Sequence, residues 1–177
     1  ADHLAQLQDS DAAVLVLDPQ GFGPRCAELA GLAGMGGRTL FTLSPADYGT
    51  DLMAAAQAVG SASARDLARA DDVCALSFTG GTTGKAKAAV RLQRDAVSGC
   101  MAILADFDLP ESPQYLAVAP ISHVAGTKIV PTLLRGGTVH LLSAFDPEQM
   151  LAVMQRERIN VTLAVPTMIS TLLDCPA

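Results

Sequence analysis

The amino-acid sequence predicts an α/β fold, with largely parallel sheets covered by helices. The first observation is a set of short, continuously apolar runs, of which residues 12–17 (AAVLVL) are the clearest. Such runs are typical of strands that are buried on both faces. The second observation is that stretches with apolar residues at helical spacing separate these runs. Strands that alternate with helices in this way favour parallel strand order.

The first half of the chain predicts three strands and two helices. Strand 12–17 should end at the turn-forming pair Asp18-Pro19, and Pro24 suits the first turn of the helix that follows. The glycine-rich segment after residue 33 should end that helix. The remaining elements of this half are a strand at 39–43, a helix at 51–59 and a strand at 73–79.

The second half of the chain continues the alternation. Its expected elements are an extended segment at 88–92, a helix at 95–107, a strand at 115–119, a helix near 126–134, a strand at 138–142, a helix from 147, a strand at 161–165 and a helix at 167–173. The helix from 147 has the clearest start, because Asp146 can cap it and Pro147 suits its first turn. Arg156 and Arg158 complement the negative end of that helix.

Charge and composition exclude several classes of protein. Half of the 177 residues are hydrophobic, which supplies a core and excludes a disordered tail. The 12 basic and 18 acidic residues give a formal charge of −6, whereas a nucleic-acid-binding protein presents a basic surface. No nucleic-acid partner is therefore expected. No apolar stretch reaches the ~20 residues that cross a bilayer, so no transmembrane segment is expected either.

The cysteines and histidines are too dispersed for a disulfide framework or a zinc site. No C-x-x-C pair occurs among the four cysteines, which indicates reduced, buried thiols in a cytoplasmic protein. The three histidines are equally scattered, and no metal site is predicted within the chain.

The segment that follows strand 73–79 carries the densest set of anion-binding groups in the sequence. Residues 79–87 (TGGTTGKAK) combine three glycines, three threonine hydroxyls and two lysines. Glycines let the backbone approach an anion closely, and successive N–H groups can form a concave anion site. A lysine adds a point charge for phosphate. We interpret the loop as a binding site for nucleotide phosphates; the alternative is a flexible turn with solvated lysines.

Two common nucleotide-binding motifs do not fit this loop. A Walker A sequence that ends on Gly84-Lys85 requires Gly at position 79 and Ser or Thr at position 86, where the chain has Thr79 and Ala86. The glycines also lack the G-x-G-x-x-G spacing of a dinucleotide-binding turn.

The loop resembles the phosphate-binding signature of the adenylate-forming (AMP-binding) superfamily, which includes acyl-CoA synthetases, luciferases and peptide-synthetase adenylation domains. That signature is roughly T-[SG]-G-[TS]-T-G-x-P-K-G, from which the chain departs at Ala86 and Ala88. The resemblance implies that the loop binds the β- and γ-phosphates of ATP and then pyrophosphate. The residues it implicates are Thr79, Gly80, Gly81, Thr82, Thr83, Gly84 and Lys87.

A second motif agrees in order and position. Residues 120–126 (PISHVAG) resemble the superfamily pattern P-x-x-[HF]-x-x-G, which implies that His123 and Gly126 belong to the acyl-substrate pocket. By itself, a lone histidine on an apolar loop is more typical of a structural role. Because adenylation uses a carboxylate that is already ionised, we expect His123 to position the substrate rather than to act as a general base.

The resemblance is greatest to acyl-CoA synthetases and fatty-acid–CoA ligases, and it implies a reaction. The parent enzyme would use ATP to convert a carboxylic acid, expected to be a fatty acid, to an acyl-adenylate, and would then transfer the acyl group to CoA. ATP, Mg²⁺ and CoA are the implied cofactor and co-substrates, with the Mg²⁺ ligand expected mostly outside this chain. No catalytic residue and no metal ligand are assigned within it.

The same resemblance predicts the domain organisation. The chain is expected to be an internal part of the layered αβαβα N-terminal domain, with a first portion at 1–95 that ends in the phosphate loop and a second at 96–177. The C-terminal lid domain is expected to be absent, the 177 residues alone to be inactive, and their exposed strand edges to promote self-association. The alternatives are an adenylation domain that loads a carrier protein and a non-catalytic α/β module that binds a nucleotide or anion.

Overall fold

The computed structural model describes residues 2–34, 36–61, 63, 65–79 and 87–175. Its helices are α1 (Asp2–Asp9), α2 (Pro19–Phe22), α3 (Pro24–Gly34), α4 (Leu52–Val59), α5 (Gln93–Asp106), α6 (Ile129–Leu134), α7 (Pro147–Arg156) and α8 (Pro166–Leu173), with a 3₁₀ turn at Val124–Lys128. Its strands are β1 (Val14–Leu17), β2 (Thr39–Thr42), β3 (Thr50–Asp51), β4 (Val73–Thr79), β5 (Lys87–Leu92), β6 (Gln114–Ala117), β7 (Thr138–Leu141) and β8 (Val161–Thr162). These elements confirm the α/β class.

The chain divides into two compact units. The first comprises Ala1–Arg69 with Ala75–Val90, and the second comprises Ala70–Cys74 with Arg91–Ala177. Strands β4 and β5, on either side of the glycine-rich loop, form a two-stranded sheet of their own.

The first unit contains a parallel sheet in the order β1-β2-β3. Because side chains alternate along a strand, Leu15 and Leu17 face α3, where they pack with Cys26 and Ala30. Val14 and Val16 lie on the opposite face and are 51% and 47% exposed. Strand β1 is therefore covered on one face only within the described residues, although its apolar run predicted cover on both.

The second unit contains a parallel sheet in the order β7-β6-β8. Its central strand, β6, is buried on both faces, as the continuous apolar pattern predicted. Leu116 packs with Met150 and Val153 of α7, and Tyr115 on the other face is equally buried. The sheet therefore fixes the end of β6, from which the His123 segment continues.

Two further properties of the described residues bear on function. None of their helices combines the length and the apolar character that a membrane crossing needs. All four cysteines are free, but only Cys26 is buried and Cys74 is exposed, so the prediction of buried thiols is wrong for the others.

Candidate functional site

The glycine-rich loop follows β4 and precedes β5, and backbone hydrogen bonds join the chain at the far ends of these two strands. The N–H groups of Gln93 and Arg94 donate to the carbonyls of Asp72 and Ala70, at 2.9 and 3.0 Å. The residue number of the acceptor falls as the residue number of the donor rises, which is the pattern of antiparallel chains. These bonds close the base from which β4 runs towards the loop and β5 returns from it.

The predicted phosphate-binding residues stand mostly beyond the part of the chain that the structure describes. Thr79 is the last residue of β4, and Lys87 is the first residue of β5. The others lie outside the described residues: Gly80, Gly81, Thr82, Thr83 and Gly84. Their role towards phosphate stays a prediction, whereas both strands that frame them have the predicted type.

The His123 segment forms a tight series of turns immediately after β6. The His123 N–H donates to the Pro120 carbonyl at 3.1 Å, and the Gly126 N–H donates to the His123 carbonyl at 3.0 Å. The 3₁₀ turn Val124–Lys128 then leads directly into α6. The backbone of His123 is thus fixed on both sides, while its side chain is exposed.

Tyr115 of β6 holds this segment in place through a hydrogen bond. Its hydroxyl donates a 2.9 Å hydrogen bond to the carbonyl of Ala125, and both residues are fully buried. Burial also raises the pKa of the Tyr115 phenol above its ordinary value, so the hydroxyl stays protonated and able to donate. A side chain from the sheet therefore holds the turn that carries His123.

Gly126 is required by close packing of the backbone. A Cβ atom at this position would lie 1.9 Å from the carbonyl oxygen of Ile121, far inside any allowed contact. Only glycine lets the turn fold back on residue 121 in this way. The conformation that presents His123 thus depends on Gly126, which the sequence motif had paired with it.

A cavity of about 710 Å³ opens beside His123, within the second unit. One wall is the end of β5 together with α5, and the other is the segment 121–134. Most of the lining is apolar, as at Ile103, Val130 and Leu134. The volume lies within the range of small-molecule sites, although the cavity is about half open to solvent. The structure brings His123 and Gly126 together in this cavity; their role towards an acid stays a prediction.

Several polar groups also line the cavity, and sequence reasoning assigned them no role. Arg91 at the end of β5 and Asp95 in the first turn of α5 are the charged ones. Asp95 uses one carboxylate oxygen to accept the Leu92 N–H at 2.9 Å, which stabilises the start of α5. Helix α5 lines the cavity because of its tertiary packing against the segment 121–134. The local sequence pattern therefore could not predict that Arg91 and Asp95 lie there.

Lys128 links the 3₁₀ turn, which follows His123, to the end of α5. Its ammonium nitrogen lies 3.7 Å from the ring centroid of Phe107, the residue that follows α5 and caps its C-terminal end. Lys128 is 9% exposed, and burial lowers its pKa from the ordinary value. Contact with an aromatic face compensates part of the cost of burying the charge. Lys128 thus ties the 3₁₀ turn to the end of α5.

The fold places the chain in the α/β class of proteins, with parallel sheets and helices against them. The family described as AMP-binding enzyme matches residues 2–177. The chain therefore belongs to the AMP-binding enzyme family. Within the described ranges, no three His, Cys, Asp or Glu side chains are grouped so that they could hold a metal ion.

Two curated relatives are named as a CoA ligase and a CoA synthase for different acids. The chain is 36% identical over 106 residues to the medium/long-chain-fatty-acid–CoA ligase FadD8 of Mycobacterium tuberculosis, covering 60% of this chain and 19% of that protein. It is 40% identical over 108 residues to a feruloyl-CoA synthase of an Amycolatopsis species, covering 60% and 22%. Among solved structures, ATP-bound MatB from Rhodopseudomonas palustris matches with a TM-score of 0.81 and 29% identity, covering 98% of this chain and 34% of MatB. The chain thus spans about a fifth of the length of these curated relatives.

Proposed function

We propose that the protein containing this chain activates a fatty acid with ATP and then transfers the acyl group to CoA. A carboxylate oxygen of the acid attacks the α-phosphorus of ATP, which forms the acyl-adenylate and releases pyrophosphate. The CoA sulfur then attacks the acyl carbon, and AMP leaves. The observation that carries the proposal is the apolar cavity beside His123, in a chain of the AMP-binding enzyme family.

Within this reaction, the residues of the chain position groups and neutralise charge. The N–H groups and hydroxyls of the loop 79–87, together with Lys87, would stabilise the negative charge of the departing pyrophosphate. His123 would orient the carboxylate at the mouth of the cavity. Apolar side chains on both walls would hold the acyl chain.

Mg²⁺ is part of the proposal as the partner of the ATP phosphates. It would neutralise phosphate charge when bound. Magnesium usually takes most of its ligands from water and substrate phosphates, so a cage built only of protein side chains is not needed. We assign no residue of this chain to Mg²⁺ or to CoA.

The first experiment is ATP–pyrophosphate exchange in the full natural polypeptide that carries this sequence. With a panel of saturated and aromatic acids, we expect exchange that is fastest with a medium- or long-chain fatty acid. Lys87→Ala should lower the exchange rate about 100-fold, the usual cost of losing one group that stabilises developing charge. Arg25→Ala is the matched control, because Arg25 is an exposed cation on α3.

The outcomes separate the possible functions. Exchange without CoA-dependent product, but with acylation of a phosphopantetheinyl carrier, would indicate a carrier-loading domain. ATP binding without exchange for any acid would indicate a non-catalytic module. Full exchange activity in Lys87→Ala would contradict the assignment of the phosphate loop.

A further inference from the structure

Helix α5 contains a glycine in its interior, where glycine lowers the stability of a helix. Gly99 lies in the middle of α5, and glycine is among the least favourable residues inside a helix. Residues four apart share one face of a helix. Asp95, Gly99 and Ile103 therefore form a single row, and all three line the cavity.

Packing does not explain the missing side chain at Gly99. A Cβ atom built there meets no atom within 4 Å, whereas one built at Gly126 collides with the backbone. The backbone conformation of Gly99 is an ordinary helical one, so it does not need glycine either. What a side chain at position 99 would change is the cavity, because it would occupy space between α5 and the opposite wall.

We propose that Gly99 determines which acids the cavity admits: it leaves room for the chain of a medium- or long-chain fatty acid against α5. This inference rests on the proposed function, since it concerns the acid site of that reaction. The carboxylate would lie near His123, and the methylene chain would pass over Gly99 towards the apolar lining that includes Ile103 and Val130. A larger residue at position 99 would exclude methylene groups from this path, and each excluded group is worth about tenfold or more in kcat/KM.

The test measures kcat/KM in the full natural polypeptide for saturated acids from acetate to palmitate. Gly99→Leu should lower kcat/KM for decanoate and longer acids at least tenfold relative to butyrate. Gly99→Ala, which favours the helix, should shift the profile in the same direction but less, so that the proposal stays testable if the larger substitution disturbs folding.

Gly31→Leu is the matched control. Gly31 also lies inside a helix, α3, a Cβ atom there also meets nothing within 4 Å, and it does not line the cavity. Its substitution should leave the acid profile unchanged. A Gly99→Leu profile that matches the wild type, or that falls equally for all acids, would overturn the proposal.

A binding measurement keeps this inference separable from the proposed function. Cys100 lines the cavity and is half-buried, whereas Cys74 is exposed, so a thiol reagent can be followed at both sites by peptide mass spectrometry. Decanoate should slow labelling of Cys100 but not of Cys74, and this protection should be lost in Gly99→Leu. Protection without ATP–pyrophosphate exchange would refute the proposed function alone. Exchange with decanoate and an unaltered profile in Gly99→Leu would refute the inference alone.

Discussion

At the scale of single residues, Tyr115 shows how a buried polar group can set the geometry of an exposed one. Its hydroxyl bonds the Ala125 carbonyl inside the turn that presents His123. In Tyr115→Phe the carbonyl stays buried without this donor, so we expect a loss of about 1 kcal/mol in the free energy of unfolding. Urea denaturation at pH 8 measures it. Tyr48→Phe is the control, because Tyr48 is only partly buried where it packs against the apolar cluster of the first unit, so loss of its hydroxyl should cost less.

The same phenol predicts how stability depends on pH. Burial raises the pKa of Tyr115 above its ordinary 10.0, so the folded state holds the proton more tightly than the unfolded state does. Its contribution is therefore complete below pH 10 and is lost as the pH rises through the raised pKa. Between pH 9 and pH 11 the wild type should lose more stability than Tyr115→Phe; equal losses would contradict this assignment.

Sequence reasoning points to residues that belong to a local motif and misses residues whose contacts depend on a distant partner. His123 and Gly126 were predicted from a motif, and they line one cavity. Tyr115 and Lys128 were not singled out, because their partners, Ala125 and Phe107, lie 10 and 21 positions away along the chain. Nothing in the local pattern of either residue indicates those contacts.

At the scale of elements, the local sequence predicts where a helix begins better than whether the segment forms an α-helix or a 3₁₀ turn. Asp146 caps α7 as predicted, with its carboxylate accepting the Gln149 N–H at 2.7 Å. The helix expected near 126–134 is instead a 3₁₀ turn followed by the short helix α6. Pro131 explains the difference. Proline lacks an N–H group and is tolerated in the first turn of an α-helix, and a helix from residue 126 would place it in the interior.

The cap of α7 gives the prediction at this scale. Asp146→Ala should destabilise the protein by about 1 kcal/mol, because the Gln149 N–H loses its acceptor and the positive end of the helix loses a carboxylate. Asp106→Ala is an informative control, since Asp106 is an exposed carboxylate at the negative end of α5. It should be neutral or slightly stabilising, and thermal unfolding of the two variants measures the difference in sign. Equal midpoints would show that the cap contributes nothing.

At the scale of the whole molecule, the two parallel sheets differ in how many of their faces are buried by other elements. The continuous apolar pattern predicts burial on both faces, and β6 has it, with helix α7 against Leu116 and the His123 segment against Tyr115. Strand β1 has an equally apolar pattern, yet Val14 and Val16 stay half-exposed among the described residues. An apolar pattern thus indicates that a strand face is suited to burial, but it does not identify which element covers that face.

This difference predicts how the 177 residues behave when expressed by themselves. Among the described residues, strand β1 is an edge strand of its sheet, so there it combines unpaired backbone groups with an apolar face. We expect concentration-dependent self-association in sedimentation velocity, reduced in the double variant Val14→Thr with Val16→Thr, which keeps shape and strand preference while adding hydroxyls.

Val59→Thr distinguishes association through the exposed face of β1 from association driven by total exposed apolar area. Val59 is 71% exposed at the end of helix α4 rather than on a strand, so its substitution should leave association unchanged. If the Val59 variant reduces association as much as the double variant does, the effect follows total exposed apolar area rather than β1. A chain that sediments as a monomer at every concentration would show that the open face of β1 drives no association.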